Sequence, residues 1–144
     1  MADAPVRGGC LCGAVRYEIT APFLRAGACH CSRCRKHTGA AASVQGRVPQ
    51  EAFRLIAGAE HVRVFRPPGG MAKAFCATCG SSLFGGTWPD GPEVSVRLGT
   101  LDDDPGIRVG FHTFAAEAPP WLPVAEDGLP RHDGPLPRRR PGNG

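Results

Sequence analysis

A chain of 144 residues is long enough for one domain with its own core, and 42% hydrophobic with 7% aromatic residues is ordinary for a globular protein. The net charge of +4 sits mostly at the end, where Arg131, Arg138, Arg139 and Arg140 against Asp133 leave residues 1–130 near neutrality, so charge implies no nucleic-acid partner. The start of the chain has no apolar run of signal-peptide length, and no stretch approaches the ~18 apolar residues of a membrane span, which predicts a cytoplasmic protein with no membrane partner.

The first element signalled is a tight turn at Cys10-Leu11-Cys12-Gly13. A strand follows, because Val15, Tyr17 and Ile19 alternate with Arg16 and Glu18 at the period of a half-buried strand. Next comes Cys29-His30-Cys31-Ser32-Arg33-Cys34, where a single helical turn is expected from Cys31 through Lys36. Short strands are then predicted over 42–45, 53–56, 62–65, 73–75, 82–84 and 94–98, separated by Gly, Pro or polar turn residues, with Cys76-Ala77-Thr78-Cys79-Gly80 interposed. No window sustains helical periodicity, and 20 Gly with 15 Pro disfavour long helices. The expected fold is mainly β, a single domain of several small coiled antiparallel sheets around metal sites.

Phe111-His112-Thr113-Phe114 reads as a strand carrying a hydrogen-bonded histidine. Beyond Phe114 the spaced prolines and one large anchor, Trp121, suggest an extended segment lying across the body, while Trp88 reads as packing. From Arg131 onward little can be buried, so the domain is expected to span 1–130 and the Pro/Arg-rich 131–144 to be disordered. Asp102-Asp103-Asp104-Pro105-Gly106 is a polar turn without the ligand spacing of a calcium loop.

The seven cysteines carry the chemistry. Their spacings bring several thiolates within reach of one soft tetrahedral cation, for which zinc is the natural occupant, and an odd count in a reducing compartment suits disulfides poorly. In the Cys76–Cys79 knuckle, Gly80 would permit the positive φ that turns both sulfurs inward. Spacing leaves two pairings open, since Cys10 and Cys12 could share an ion either with Cys76 and Cys79 or with the nearer cluster. The first is preferred. Two pairs complete a structural shell, and Cys29, Cys31 and Cys34 then form a compact second site with one position unassigned, the pattern of a catalytic zinc. Such a site could bind and deprotonate a substrate thiol and polarise a carbonyl, which points to carbon–sulfur bond chemistry. Arg33, Arg35 and Lys36 crowd the same loop as candidate partners for substrate carboxylates, with Arg47 a further candidate by charge. The alternative is a second structural site closed by His30, His37, His112 or a backbone group. On the metal-binding reading His30 points away from the ion and His37 is a solvated loop residue.

Gly8-Gly9-Cys10-Leu11-Cys12-Gly13, Cys29-His30-Cys31-Ser32-Arg33-Cys34-Arg35-Lys36 with Gly39, and Phe75-Cys76-Ala77-Thr78-Cys79-Gly80 together resemble the family of glutathione-dependent formaldehyde-activating enzymes and centromere protein V. The resemblance extends through Ala118-Pro119-Pro120-Trp121 and Gly128-Leu129-Pro130. It implies several coiled β-sheets, structural zinc on Cys10, Cys12, Cys76 and Cys79, and a second zinc on Cys29, Cys31 and Cys34. It also implies, for the enzyme branch, addition of the glutathione thiol to formaldehyde to give S-hydroxymethylglutathione, with carbon–sulfur lyase chemistry in reverse. A zinc-stabilised binding or adaptor module is the other function that such a scaffold could serve.

Overall fold

The structure is a computed structural model that describes residues 4–137. A three-stranded antiparallel sheet contains β1 (Val6–Gly9), β2 (Arg16–Ile19) and β5 (Phe53–Ala57), with β2 in the middle. The second sheet has seven strands in the order β10-β3-β4-β9-β8-β7-β6, namely β3 (Arg25–Cys29), β4 (Ser43–Pro49), β6 (Val62–Phe65), β7 (Ala72–Cys76), β8 (Ser82–Gly86), β9 (Glu93–Arg97) and β10 (His112–Thr113). One α-helix, α1 (Ser32–Thr38), leaves the end of β3. The mainly-β single domain expected from the strand rhythm is therefore present, as two sheets; the larger one is mixed, because β10 pairs parallel to β3. No described helix is long and apolar enough to cross a membrane.

Strand register explains both the core and the cavity. Cross-strand partners share a face. On one face of the large sheet Val48 pairs with Val94, Gly46 with Val96, and Val96 with Phe84, whose own partner is Ala74. This face packs against Tyr17, Ile19 and Phe53 of the small sheet, and the aromatic rings join them: Tyr17 stacks on Phe53 at 5.2 Å and Phe53 meets Phe84 at 4.7 Å between centroids. Trp88 closes the cluster edge-on to Phe84 at 4.9 Å. Gly8 pairs with Tyr17 in the small sheet, where any Cβ would collide with the tyrosine ring and the Thr100 carbonyl.

The opposite face of the large sheet is polar. Arg25 pairs with Arg47, Gly27 with Gln45, Gln45 with Arg97, Arg47 with Ser95, Ser95 with Gly85, and Gly85 with Lys73. Alternation thus places a row of cations on one side of the same strands that supply the apolar core on the other.

Two expectations for the C-terminal part are corrected. Residues 131–134 are not free of the body: Phe114 N–H donates to the Gly134 carbonyl, Ala115 N–H to His132 O and His132 N–H to His112 O, each at 2.9 Å. Main-chain groups hold this strap where side chains offer little to bury. Trp121 is 68% exposed and does not anchor the segment. The arginine-rich end of the expected tail, residues 138–144, lies outside the described residues.

Candidate functional site

The turn between β1 and β2 and the turn between β7 and β8 meet, so Cys10, Cys12, Cys76 and Cys79 come from both sheets with all four sulfurs within 4.8 Å of one another. Zinc–sulfur bonds of about 2.3 Å at tetrahedral angles would separate sulfurs by about 3.8 Å, and the Cys10–Cys12 and Cys12–Cys76 separations are 3.5 and 3.9 Å. The turns are built for this. Gly13 and Gly80 take φ of 82° and 80°, Val15 N–H donates to Cys10 Sγ at 3.2 Å, and Leu11 N–H reaches across to Ser81 Oγ at 2.9 Å. The Ser81 hydroxyl holds Cys79 down at about 5, whereas Cys12, despite the Ala14 N–H that favours its thiolate, is pushed up to about 11 by Cys10 and the other sulfurs. Four crowded thiols cannot all ionise alone; a divalent cation resolves that conflict, so the donor set fits a closed metal site.

The second cluster, Cys29, Cys31 and Cys34, likewise has its sulfurs within 4.8 Å. Cys29 ends β3, Cys31 is the N-cap of α1, and Cys34 lies buried on the first turn, donating its N–H to Cys31 Sγ at 3.3 Å. The helix stops at Gly39, whose φ of 75° turns its N–H back to the Arg35 carbonyl. The hydrogen bond with Cys34 holds Cys29 at about 5 against the cost of burial, and the same bond together with burial pushes Cys34 up. Among the described residues no histidine or carboxylate joins the three sulfurs, which leaves His30, His37 and His112 outside the group. The set could hold a metal with one position not filled by these side chains.

Over the polar face lies a cavity of about 1440 Å³ that reaches the triplet. Five cationic side chains line it, Arg25, Arg33, Arg47, Lys73 and Arg97, against one carboxylate, Glu93. Arg25 pairs with Glu93 at 2.6 Å, Arg97 Nη1 donates to Gln45 Oε1 at 2.6 Å, Arg33 Nη2 donates to the Pro68 carbonyl at 2.9 Å, and Lys73 Nζ lies 3.9 Å from Cys34 Sγ. The Arg47 guanidinium makes no hydrogen bond among the described residues, and burial followed by the neighbouring Arg25 charge depresses its pKa. A smaller adjoining pocket of about 300 Å³ is lined by Arg33, Lys36, His37, Phe65, Pro67 and Lys73.

Comparison with known proteins gives this geometry a context. The family model described as "Glutathione-dependent formaldehyde-activating enzyme" matches residues 5–117. The chain belongs to the glutathione-dependent formaldehyde-activating enzyme family. A Halomonas elongata protein provisionally given that enzyme's name is 30% identical over 135 residues, covering 83% of this chain and 80% of the relative. A similarly named Aspergillus flavus protein is 35% identical over 88 residues, covering 58% of this chain and 46% of that longer protein. A crystal structure of a Rhodobacter sphaeroides protein superposes with a TM-score of 0.54 at 27% identity over 71% of this chain and 90% of the other.

Within this family member the loop residues expected near a substrate separate. Arg33 lines both cavities and Lys36 only the smaller one, because residues three and four apart share a helix face; Arg35 turns away and donates from Nε to the His30 carbonyl at 3.3 Å. Arg35 is thus not brought to the cavity. His37 is not a solvated loop residue: it sits in α1, half-buried, with Nδ1 2.7 Å from Ser82 Oγ. Burial, then Arg97 and Lys73, lower its pKa to about 4. Arg25, Lys73 and Arg97 were missed by sequence reasoning. Their signal was present as cationic residues alternating with core residues inside strands, which puts charge on the sheet face opposite the core.

Proposed function

We propose that the chain is a zinc-dependent carbon–sulfur lyase-type enzyme that forms or cleaves a thiol–aldehyde adduct, such as S-hydroxymethylglutathione from glutathione and formaldehyde. The observation that carries this reading is a three-sulfur cluster that no histidine or carboxylate among the described residues completes, at the end of a strongly cationic cavity. In the forward direction the sulfur–carbon bond forms, the carbonyl π bond opens onto oxygen, and the thiol proton ends on that oxygen. Zinc on Cys29, Cys31 and Cys34 would supply Lewis acidity and favour the substrate thiolate at neutral pH.

The protein's own residues supply binding and orientation. A thiol tripeptide with two carboxylates finds complementary charge at Arg47 on the sheet and at Arg33 and Lys36 on α1, while Glu93, shared with Arg25, is the one carboxylate among the described cavity residues that could meet an ammonium group. Lys73 is 7% exposed and lies beside Cys34, where a lysine charge favours the thiolate. Zinc on Cys10, Cys12, Cys76 and Cys79 would tie the two sheets together. Thiols clustered for metal ligation suit a reducing compartment such as the cytoplasm.

The test is acceleration of thiol–aldehyde adduct formation above the spontaneous rate, with Cys31→Ser as the control variant. Serine caps a helix at least as well as cysteine, so the variant should fold while losing the rate enhancement. A wild-type protein that gives no acceleration with glutathione and formaldehyde rejects the enzymatic reading and favours the binding module.

A further inference from the structure

His30 separates two of the clustered cysteines, yet its side chain leaves them. In extended backbone neighbouring side chains alternate, so fixing the His30 ring on one side fixes Cys29 and Cys31 on the other. The ring is buried, with Nε2 2.9 Å from Nδ1 of the equally buried His112, whose Nε2 lies 2.8 Å from Asp127 Oδ2. Asp127 is itself oriented, since its Oδ1 accepts the Leu129 N–H at 3.0 Å. The main chain holds the same seam: His30 N–H donates to Thr113 O at 3.0 Å, and His112 N–H donates to Pro130 O at 2.9 Å. Neither imidazole lines the cavity.

The polarity of this chain follows from its end. A carboxylate only accepts, so His112 carries a proton on Nε2; with His112 neutral, its Nδ1 accepts from His30 Nε2. That leaves His30 Nδ1 as a bare lone pair, and this atom is buried without a hydrogen-bond partner among the described residues. A ring that gives up one nitrogen's bonding is held by the other nitrogen alone.

We propose that Asp127, His112 and His30 form a positioning relay that orients the Cys29–Cys34 turn from behind, keeping its three sulfurs in ligating geometry for a divalent cation. The relay rests on the reading of the triplet as a metal site and not on any turnover. It connects the strap after β10 to the reactive turn, so residues far from any substrate control how firmly the metal is held.

The experiment is zinc release from the metal-loaded full chain to a chelating dye, comparing wild type with Asp127→Asn, Asp127→Ala and His112→Phe. Two equivalents should leave the wild type. In Asp127→Ala and His112→Phe the triplet's equivalent should leave about 10- to 100-fold faster while the four-cysteine equivalent keeps its wild-type rate, and Asp127→Asn, which retains an acceptor, should fall between. Unchanged release of both, parallel acceleration of both, or a wild type that holds a single equivalent would each overturn the relay. Should the alanine variant not fold, long-range ¹H–¹⁵N correlation on wild type and Asp127→Asn decides: both histidines should be Nε2–H tautomers in the wild type, and a His30 protonated on Nδ1 overturns the proposal. Failure of catalysis with the selective zinc release intact would reject the enzymatic reading and leave the relay standing.

Discussion

Replacing Arg47 by methionine separates a residue kept for binding from one kept for stability. The guanidinium sits on the polar face opposite Arg25 and next to Ser95, lines the cavity, and makes no hydrogen bond among the described residues. Burial and the Arg25 charge both act against its ionised form, so the folded protein gains nothing from the charge, and methionine keeps much of the volume. If Arg47 receives a substrate carboxylate, the variant loses charge-assisted hydrogen bonds of about 1.5–3 kcal/mol. Arg25 and Arg97 remain on the same face to take up part of the charge, so the lower part of that range applies, a loss of about 10- to 30-fold in kcat/KM. The assay is initial adduct-forming rate at subsaturating thiol, for glutathione and for cysteamine, which has no carboxylate. Glutathione should lose the stated factor through KM and cysteamine should be nearly unaffected, while the urea midpoint stays level or rises. An unchanged KM for glutathione, or destabilisation by about 1 kcal/mol or more, would show that Arg47 serves the fold and not the ligand.

Chelation of all metal should unfold the chain, since a structural zinc contributes on the order of 10–16 kcal/mol where a whole domain is held by roughly 5–15 kcal/mol; a far-UV circular dichroism spectrum that survives stripping refutes the role given to Cys10, Cys12, Cys76 and Cys79. His37 makes a pH prediction with a definite sign. Its folded pKa of about 4 lies below the ordinary histidine value of 6.5, so the unfolded chain binds more protons between those values and stability falls as pH drops through that window. Screening at a half-buried ring limits the effect to about 1–2 kcal/mol. His37→Gln, which can still accept from Ser82, should flatten this part of the stability profile, and an unaltered acid slope relative to wild type would show that other groups set it.

Strands whose large apolar residues alternate were legible in the sequence: β2, β5, β6 and β9 appear where Val15–Ile19, Phe53–Ile56, Val62–Phe65 and Val94–Leu98 signalled them. β4, β7 and β8 were signalled as well, over 42–45, 73–75 and 82–84, although β4 runs on to Pro49; β1 and β3 were not. Half of β1 is Gly8-Gly9, and β3, Arg25-Ala26-Gly27-Ala28-Cys29, buries small side chains instead of filling space with large ones. The two-residue β10 lies within Phe111–Phe114, where a strand with a hydrogen-bonded histidine was expected, but its parallel pairing with β3 and its bonds to the strap were not legible. The cysteine clusters were legible because short spacing constrains sulfurs whatever the fold, and the structure brings Cys10 and Cys12 to Cys76 and Cys79 where spacing had left two pairings open.

The cavity was hidden because sequence neighbours are poor guides to spatial ones. Arg33, Arg35 and Lys36 look like one basic cluster, yet helical geometry sends Arg35 to the His30 carbonyl. Arg25, Arg47, Lys73 and Arg97 are distant in the chain and meet only through strand pairing. Register therefore determines the chemistry as well as the core. A one-residue slip of β4 and β9 would turn Arg47 and Arg97 into the space of Phe53 and Phe84 and bring Val48 and Val96 to the cavity. The cost of burying those cations opposes the slip, so the residues proposed to bind substrate also help to specify which face of the sheet is core.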